Sequence, residues 1–228
     1  GRFRQFYQIG VEAMGSHNPA IDAEVMIMLM DFFHTLGLKG LKLQINSLGC
    51  CECRPDYREI LKKSIHDQLS GLCDNCNQRY QRNPMRILDC KVKSCREIAV
   101  NLPKTIDNLC NECNIHFKEV QSLLDTTKIS YDVNFMLVRG LDYYTHTAFE
   151  VTSSQLGAQN AICGGGRYNT LVEEFEGPAT PCFGFALGLE RLISIVPFSD
   201  VNNYEKKPDI YIIHLGAELK VKAFNLAH

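Results

Sequence analysis

The pattern of apolar and polar residues along the chain predicts both strands and helices. Side chains alternate over 41–46, Leu-Lys-Leu-Gln-Ile-Asn, and this two-residue period predicts a strand. Residues 20–36 predict a helix, because Asp22 and Glu24 lie near its start, where the helix dipole favours acids, and Gly37 ends it. The chain is therefore expected to combine strands with long helices.

The remaining segments extend this mixed pattern. Strands are predicted at residues 6–11, 135–138, 148–152 and 209–213. Helices are predicted at residues 55–72, 94–101, 103–125, 168–174 and 185–196, and another begins at Glu218. Glycines 164–166 predict a sharp loop, and Pro208 predicts a boundary. The strand and helix after that boundary cannot fold alone, so they are interpreted as the opening of a further domain.

Composition narrows the class of protein. Hydrophobic residues make up 45% and charged residues 22% of the chain, which is typical of globular proteins. The apolar run from Val25 to Met30 is far shorter than the ~20 residues that span a bilayer. We expect no secretory signal, because Arg2 and Arg4 are not followed by an apolar stretch. The net charge of −2 means that any nucleic-acid contact must be local.

The positive charge is concentrated in one region. Residues 54–128 carry 13 Lys and Arg against 10 Asp and Glu, a net of +3. Between 79 and 96, Asp89 is the single acid among six basic residues: Arg79, Arg82, Arg86, Lys91, Lys93 and Arg96. Such a run is either a solvated surface or a patch that contacts phosphates, and the charge pattern alone leaves both interpretations open.

Nine of the eleven cysteines lie between Cys50 and Cys113. Eight of them form three C-x-x-C pairs with two further thiols between the last two pairs: Cys50/Cys53, Cys73/Cys76, Cys110/Cys113, Cys90 and Cys95. The ninth is Cys51. The odd number disfavours a secreted disulfide framework. Two such pairs can hold tetrahedral Zn²⁺, but nine thiols offer many choices of four. Structural zinc and reduced, partly buried thiols both stay open.

Two clusters in the chain carry side chains suited to chemistry on anions. In residues 1–12, a strand would place Arg2, Arg4, Gln8 and Glu12 on one face, because their spacing is even. Residues 137–145, Leu-Val-Arg-Gly-Leu-Asp-Tyr-Tyr-Thr, offer a guanidinium fork beside two phenols. Taken alone, the first is equally consistent with a solvent-facing strand, and the second with a turn beside core tyrosines.

Two later clusters are rich in glycine. In Gly164-Gly165-Gly166-Arg167-Tyr168, the missing side chains allow close approach to a ligand, although flexible loops use glycines too. Residues 183–192, Phe-Gly-Phe-Ala-Leu-Gly-Leu-Glu-Arg-Leu, predict an apolar helix that carries Arg191. That helix is also explained as a core helix packed on a sheet.

In this order the four clusters resemble the motifs of histidyl-tRNA synthetases, which are class II aminoacyl-tRNA synthetases. The first resembles the second half of class II motif 2, and the second resembles the histidine-specific signature Arg-Gly-Leu-Asp-Tyr-Tyr. The third resembles the family's Gly-Gly-Arg-Tyr loop, and the fourth resembles motif 3 with its Gly-Leu-Glu-Arg core. The similarity runs from Gly1 to about residue 215, and the string at 139–144 is its most discriminating part.

The resemblance implies a fold and a domain order. The fold class is α+β, an antiparallel sheet flanked by helices, with a mainly helical insertion domain. Residues 1–53 and 129–200 would form a partial catalytic core, residues 54–128 the insertion domain, and residues 208–228 the start of a truncated anticodon-binding domain. Motif 1, the start of motif 2 and most of the anticodon-binding domain have no counterpart here, so we expect a piece of a longer protein with uncertain activity of its own.

The resemblance also implies an activity and a set of residues. The family activates L-histidine with ATP and transfers histidine to the 3′ end of its tRNA. Arg139 resembles the catalytic arginine. The implied histidine-binding residues are Gln8, Glu12, Arg139, Tyr143, Tyr144 and Tyr168. The implied ATP-binding residues are Arg2 and Arg191. The basic residues between 79 and 96 become candidates for contact with the tRNA acceptor arm.

Further expectations follow from the same resemblance. Mg²⁺ accompanies the ATP phosphates, structural Zn²⁺ is left open, and the parent protein is expected to be a cytoplasmic homodimer without a membrane contact. The alternative is a non-catalytic paralogue that regulates another enzyme or senses tRNA. Such relatives generally lose the histidine signature or the insertion, and both are present here.

Overall fold

The chain divides into two units in the computed structural model, residues 1–196 and residues 197–228. The structure describes residues 4–157, 160–197 and 210–227. No helix in these ranges is long and apolar enough to cross a membrane. Arg2 and Pro208, both singled out in the sequence, lie outside the described residues.

A six-stranded sheet organises the described part of the first unit. Its strands are β1 (Gln8–Met14), β2 (Leu41–Ser47), β3 (Tyr131–Val133), β4 (Thr145–Ser153), β5 (Ala161–Arg167) and β6 (Cys182–Gly188). Their order across the sheet is β1-β6-β5-β4-β2-β3. All neighbours pair antiparallel except β2 and β3, which pair parallel. The expected antiparallel sheet is confirmed, with one short parallel strand added at its edge.

The two faces of this sheet differ in chemistry. Register places Val11, Phe185, Phe149 and Ile45 in one row across β1, β6, β4 and β2. Neighbouring positions in each strand point to the opposite face, where the row through Glu12 continues across β6 and β5 as glycines. One face is therefore apolar, whereas the other is polar and carries few side chains.

Two long helices cover the apolar face. They are α1 (Pro19–Thr35) and α5 (Asn111–Asp125). Asn18 caps α1 by accepting a hydrogen bond from the Ala20 amide, and Pro19 begins the helix, where proline needs no amide partner. Buried Met26 and Phe33 of α1 join Val120 of α5 and Phe149 of the sheet in one apolar core.

The segment between β2 and β3 is helical and packs on the end of the other face. It contains α2 (Cys53–His66), α3 (Asp74–Arg82) and α4 (Lys93–Ala99) before α5, with short 3₁₀ turns between them. Its buried residues, such as Leu61 and Ile87, share a second apolar core with Tyr144, Ala148 and Tyr168 of the sheet region. The helical segment is thus fixed beside the polar face.

Several sequence predictions are confirmed by these elements. The helix predicted at 20–36 is α1, the strand at 41–46 is β2, and the strand at 148–152 is the middle of β4. The first strand begins at Gln8, later than predicted, and the helix predicted at 55–72 runs from Cys53 to His66. The helix predicted at 103–125 divides into a 3₁₀ turn at Thr105–Asn108 and α5.

Glycines 164–166 were predicted as a loop, and this is wrong because they form the middle of β5. A Cβ at Gly165 would lie 2.7 Å from the Cβ of Phe185 and would also strike the Gly184 carbonyl. These glycines are required because neighbouring strands pack closely at this point of the sheet, and they do not form a turn.

Two further predictions are wrong for different reasons. The start of the predicted helix 185–196 is strand β6, and only Leu189–Ile193 is helical, as α7. A continuous apolar run in a buried strand has no period that separates it from a helix. The strand predicted at 135–138 is a turn instead, in which the Asn134 side chain accepts from the Met136 amide at 3.0 Å.

The helix predicted to start at Tyr168 begins later, as α6 (Leu171–Glu174). In the second unit, residues 210–213 form no strand, whereas the predicted helix exists as a 3₁₀ turn at Ala217–Leu219 followed by α8 (Lys220–Ala227). A strand needs a hydrogen-bonding neighbour, and the described residues of this unit provide none.

Candidate active site

The polar face of the sheet has a floor made of glycines. Gly10 lies opposite Ala186, which lies opposite Gly164, and one row further along Glu12, Gly184 and Gly166 lie side by side. A Cβ at Gly184 would lie 2.5 Å from the Glu12 carboxyl carbon. The glycines therefore leave room above the strands for groups that carry charge.

Arg139 occupies part of that room. Its guanidinium lies directly over Gly164, where any Cβ would overlap it. Nη1 lies 3.5 Å from Oε1 of Glu150, which is the β4 residue paired with Gly164. The guanidinium also lies 5.5 Å from the centre of the Tyr144 ring. The buried Nε has no hydrogen-bond partner among the described residues, so the contact with Glu150 fixes only one end of the guanidinium.

Three tyrosines form an aromatic wall beside this arginine. The ring centres of Tyr143 and Tyr144 lie 4.6 Å apart, and that of Tyr168 lies 5.7 Å from Tyr143. The Tyr168 hydroxyl donates a hydrogen bond to Oε2 of Glu12. Burial raises the pKa of Tyr144 to about 12, and burial together with Glu12 raises the pKa of Tyr168. Both phenols stay protonated near neutral pH and serve as hydrogen-bond donors.

β1 carries the polar residues predicted from the first cluster. Gln8 and Glu12 share the glycine face, opposite Gly188 and Gly184 respectively. Glu12 joins Tyr143, Tyr144 and Tyr168 in one group. Gln8 lies four residues away, at the start of the same strand. Arg4 precedes the strand and is exposed.

A cleft of about 910 Å³ separates the sheet from the helical segment. Glu150 and Arg191 line it from the sheet side, and Nη1 of Arg191 donates to the Ala161 carbonyl at 2.9 Å. Arg79, Arg86, Lys91 and Arg96 line it from the helical side. Cations from two distant parts of the sequence therefore face the same space.

The six basic residues of the helical segment fall into two groups. Arg79 and Arg86 are half-buried and pair with Asp89, at 3.3 Å and 3.7 Å. Arg82, Lys91, Lys93 and Arg96 are exposed. The first two position the segment, and the other four present their charge to solvent.

Sequence reasoning missed Glu150 and the buried network around Arg167. Glu150 was detectable as the single acid of β4, between the buried Phe149 and Val151. Arg167 is fully buried and pairs with Asp22 of α1, whose other oxygen lies 2.8 Å from Nε2 of His116. Nothing local in the sequence signals this pairing, because Asp22 and Arg167 are far apart along the chain.

Two sets of four cysteines converge in the helical segment. One set is Cys50, Cys53, Cys110 and Cys113, and the other is Cys73, Cys76, Cys90 and Cys95. Within each set the sulfur atoms all lie within 4.8 Å of one another. Cys73 and Cys90 also line the cleft. The structure thus settles which thiols are neighbours, which the spacing in the sequence left open.

Comparison with known proteins gives consistent matches. The family model described as histidyl-tRNA synthetase matches residues 1–192. The chain is 52% identical to the histidine–tRNA ligase of Desulforamulus reducens over 227 residues, and 50% identical to that of Natranaerobius thermophilus over 228 residues. Each alignment covers 99% of this chain and 54% of the relative, so the chain spans about half the length of these curated relatives.

A solved structure agrees with the sequence matches. The apo histidyl-tRNA synthetase of S. aureus superposes with a TM-score of 0.71 at 37% identity. That match covers 98% of this chain and 55% of the S. aureus chain.

Proposed function

The chain belongs to the histidyl-tRNA synthetase family, and from this we propose that the intact protein charges tRNA with histidine. In the first step the L-histidine carboxylate attacks the α-phosphorus of ATP, forming histidyl-adenylate and releasing pyrophosphate. In the second step a hydroxyl of the terminal tRNA ribose attacks the activated carbonyl carbon, and AMP leaves. This chain would supply part of the residues that bind and activate the substrates.

The observation that carries the proposal is the position of Arg139. Its guanidinium lies over the Gly164 backbone, beside Glu150 and next to the tyrosine wall. A permanently charged fork suits both the substrate carboxylate and the α-phosphate, which must approach each other despite like charges. Arg139 would thereby hold the two reactants in line and neutralise the charge that develops during transfer.

The tyrosine wall and β1 would form the histidine pocket. Glu12 offers a carboxylate to an ammonium or imidazole N–H, while Tyr143, Tyr144 and Tyr168 offer ring faces and phenolic hydrogen bonds. Gln8, on the same face, offers an amide. Where these polar groups are buried, as at Tyr144, an amino acid that lacks a matching group would leave them unpaired, whereas Gln8 and Glu12 are exposed.

The cleft beyond Arg139 would receive ATP. Arg191 lines it from the sheet, and Arg2, outside the described residues, is assigned to the same substrate by the family resemblance. Mg²⁺ bound to nucleotide phosphates takes one or two carboxylates, and Glu150 and Asp89 both line the cleft. These residues fit a magnesium ion that enters with ATP and offsets the phosphate charge.

The remaining expectations belong to the same proposal. The basic residues of the helical segment would contact the tRNA acceptor arm, and Lys91 and Arg96 support this because they are exposed and line the cleft where the acceptor end must enter. The intact protein would be a cytoplasmic homodimer. Light scattering of the intact protein tests the dimer, which a monomer mass would contradict.

Histidine-dependent exchange of pyrophosphate into ATP tests the activity. We expect exchange by the intact protein and a loss of at least ~100-fold in Arg139→Lys, because lysine keeps the charge but lacks the fork. Lys118→Gln, an exposed residue on α5, serves as a matched change of one cation and should exchange at the wild-type rate. Folded wild-type protein that binds tRNA yet shows no exchange would favour the non-catalytic paralogue.

A further inference from the structure

The two cysteine sets of the helical segment lie outside the proposed chemistry and form a pair of similar sites. We propose that each set holds one structural Zn²⁺ ion through four thiolates. The outer site contains Cys50, Cys53, Cys110 and Cys113, and the inner site contains Cys73, Cys76, Cys90 and Cys95.

The distances between sulfur atoms match a tetrahedral zinc site. With Zn–S bonds of about 2.3 Å, a tetrahedron places its sulfurs ~3.8 Å apart. In the outer set the Sγ atoms of Cys50 and Cys53 lie 3.8 Å apart, and those of Cys50 and Cys110 lie 3.7 Å apart. In the inner set Cys73 and Cys90 lie 3.9 Å apart. Four sulfurs at these separations surround a single ion.

Other uses of the thiols fit less well. A disulfide requires sulfurs about 2.05 Å apart, and all eleven cysteines of the chain are free. A [4Fe–4S] cluster binds each thiolate to a different iron, and a [2Fe–2S] cluster binds them as two pairs on two irons. Both arrangements spread the four sulfurs beyond the 4.8 Å seen here. Tetrahedral all-thiolate coordination without a further ligand is typical of structural zinc, which leaves no open position for catalysis.

The local backbone supports thiolate ligands. The C-x-x-C pairs stand at the starts of helices: Cys53 begins α2, Cys73 precedes α3 and Cys110 precedes α5. The Cys50 amide donates to the Cys53 sulfur at 3.3 Å, and the Cys73 amide donates to the Cys95 sulfur at 3.2 Å. Such hydrogen bonds to the sulfurs stabilise their negative charge and fix their orientation.

Cations near the ligands offset part of the charge of the proposed sites. A zinc ion with four thiolates carries a net charge of −2. Arg54 follows Cys53 directly and interacts electrostatically with Cys50 and Cys53. In the inner set Lys91 and Arg96 follow Cys90 and Cys95 in the sequence. Such cations lower the cost of a negative charge in a partly buried setting.

The short helices of the helical segment also need cross-links to be stable. Helices of 14, 9 and 7 residues, α2 to α4, are too short to be stable alone. Segments of this size commonly depend on disulfides or a structural metal in addition to their core. The outer site joins the start of α2 to the start of α5, and the inner site joins α3 to α4, which carries Arg96 of the cleft lining.

Metal analysis of the intact protein tests the proposal directly. Protein purified under reducing conditions without chelator should contain two zinc ions per chain by mass spectrometry. Fewer than two ions, or iron in their place, would overturn the assignment.

Single substitutions test the grouping of the ligands. Cys73→Ser and Cys50→Ser should each lower the content from two zinc ions to one, and the double variant should hold none. Cys51→Ser is the matched control, because Cys51 is exposed and belongs to neither set. A loss of zinc in Cys51→Ser equal to that in Cys50→Ser would contradict the grouping.

A ligand variant can lose its fold together with its metal, so the wild-type protein supplies a second readout. After zinc is replaced by Co²⁺, thiolate-to-cobalt charge transfer and the visible bands of tetrahedral Co²⁺ should saturate at two equivalents. Octahedral spectra, or saturation below two equivalents, would refute the two thiolate sites independently of activity and of the proposed tRNA charging.

Discussion

At the scale of single residues, the absence of side chains matters as much as their presence. Gly164 and Gly184 each lie where a Cβ would meet a charged group of the candidate site, namely the Arg139 guanidinium and the Glu12 carboxylate. Because glycine has no side chain, the Arg139 guanidinium and the Glu12 carboxylate can pack directly against the backbone of the sheet. The site therefore depends on positions that touch no substrate themselves.

We expect Gly164→Ala to reduce histidine-dependent pyrophosphate exchange by at least tenfold. The added methyl group displaces the end of the Arg139 side chain from Glu150, a flexible group that moves at little cost to the fold. A small misplacement of a catalytic group commonly costs up to ~100-fold in rate. Thermal unfolding should change little. Gly157→Ala, where a Cβ meets nothing within 4 Å, is the matched control. Wild-type exchange by the Gly164 variant would contradict this role.

Tyr168→Phe removes the hydroxyl that donates to Glu12. We expect the KM for histidine to rise by about tenfold, equivalent to ~1.4 kcal/mol, because Glu12 then loses the partner that orients it. The KM for ATP should stay constant, since the cleft residues are unchanged. Exchange kinetics with each substrate varied in turn distinguish the two. Glu173→Gln, on exposed α6, controls for a general effect. Equal changes in both KM values would argue against a histidine pocket here.

At the scale of elements, a clear two-residue period made β2 predictable, and early acids with a glycine after the end made α1 predictable. β5 and β6 were not predictable, because a buried central strand has apolar or glycine residues on both faces and no period. Residues of the candidate site were likewise predictable only where a local sequence pattern marks them. Arg139 and the tyrosines stand in a recognisable string, whereas Glu150 joins them only through the pairing of β4 with β5.

The joint between α1 and β5 is a buried ion pair. Replacing Arg167 with methionine leaves Asp22 buried without its cation, which should lower the free energy of unfolding by about 3–5 kcal/mol. The double variant Asp22→Leu, Arg167→Met should lose less, because neither charge of the ion pair is then left buried, and the remaining loss includes the contact of His116 with Asp22. Chemical denaturation measures both.

An exposed pair provides the comparison for this joint. Lys62→Met breaks the contact with Glu59, at 3.3 Å on the surface of α2, and should cost less than ~1 kcal/mol. A loss as small in the Arg167 variant would show that the buried pair does not stabilise the joint.

At the scale of the whole molecule, the cleft gathers cations from the sheet and from the helical segment around a space open to a large polyanion. Binding of tRNA to the intact protein should therefore weaken as salt rises. Lys91→Gln and Arg96→Gln should each reduce the slope of log affinity against log salt by ~1. Lys118→Gln, on α5, should leave the slope unchanged. Slopes unaffected by either cleft variant would place the tRNA contact elsewhere.

The outer cysteine set has a consequence for how this architecture varies. It brings the two ends of the helical segment to one point, with the Sγ atoms of Cys50 and Cys110 only 3.7 Å apart. A segment whose ends already meet can lengthen or shorten without stretching the strands on either side. Each doubling of a flexible loop costs only about 0.6 kcal/mol in closure entropy. Exposed turns of the segment can therefore change in length, whereas its residues in the core shared with the sheet, such as Leu61 and Ile87, stay constrained.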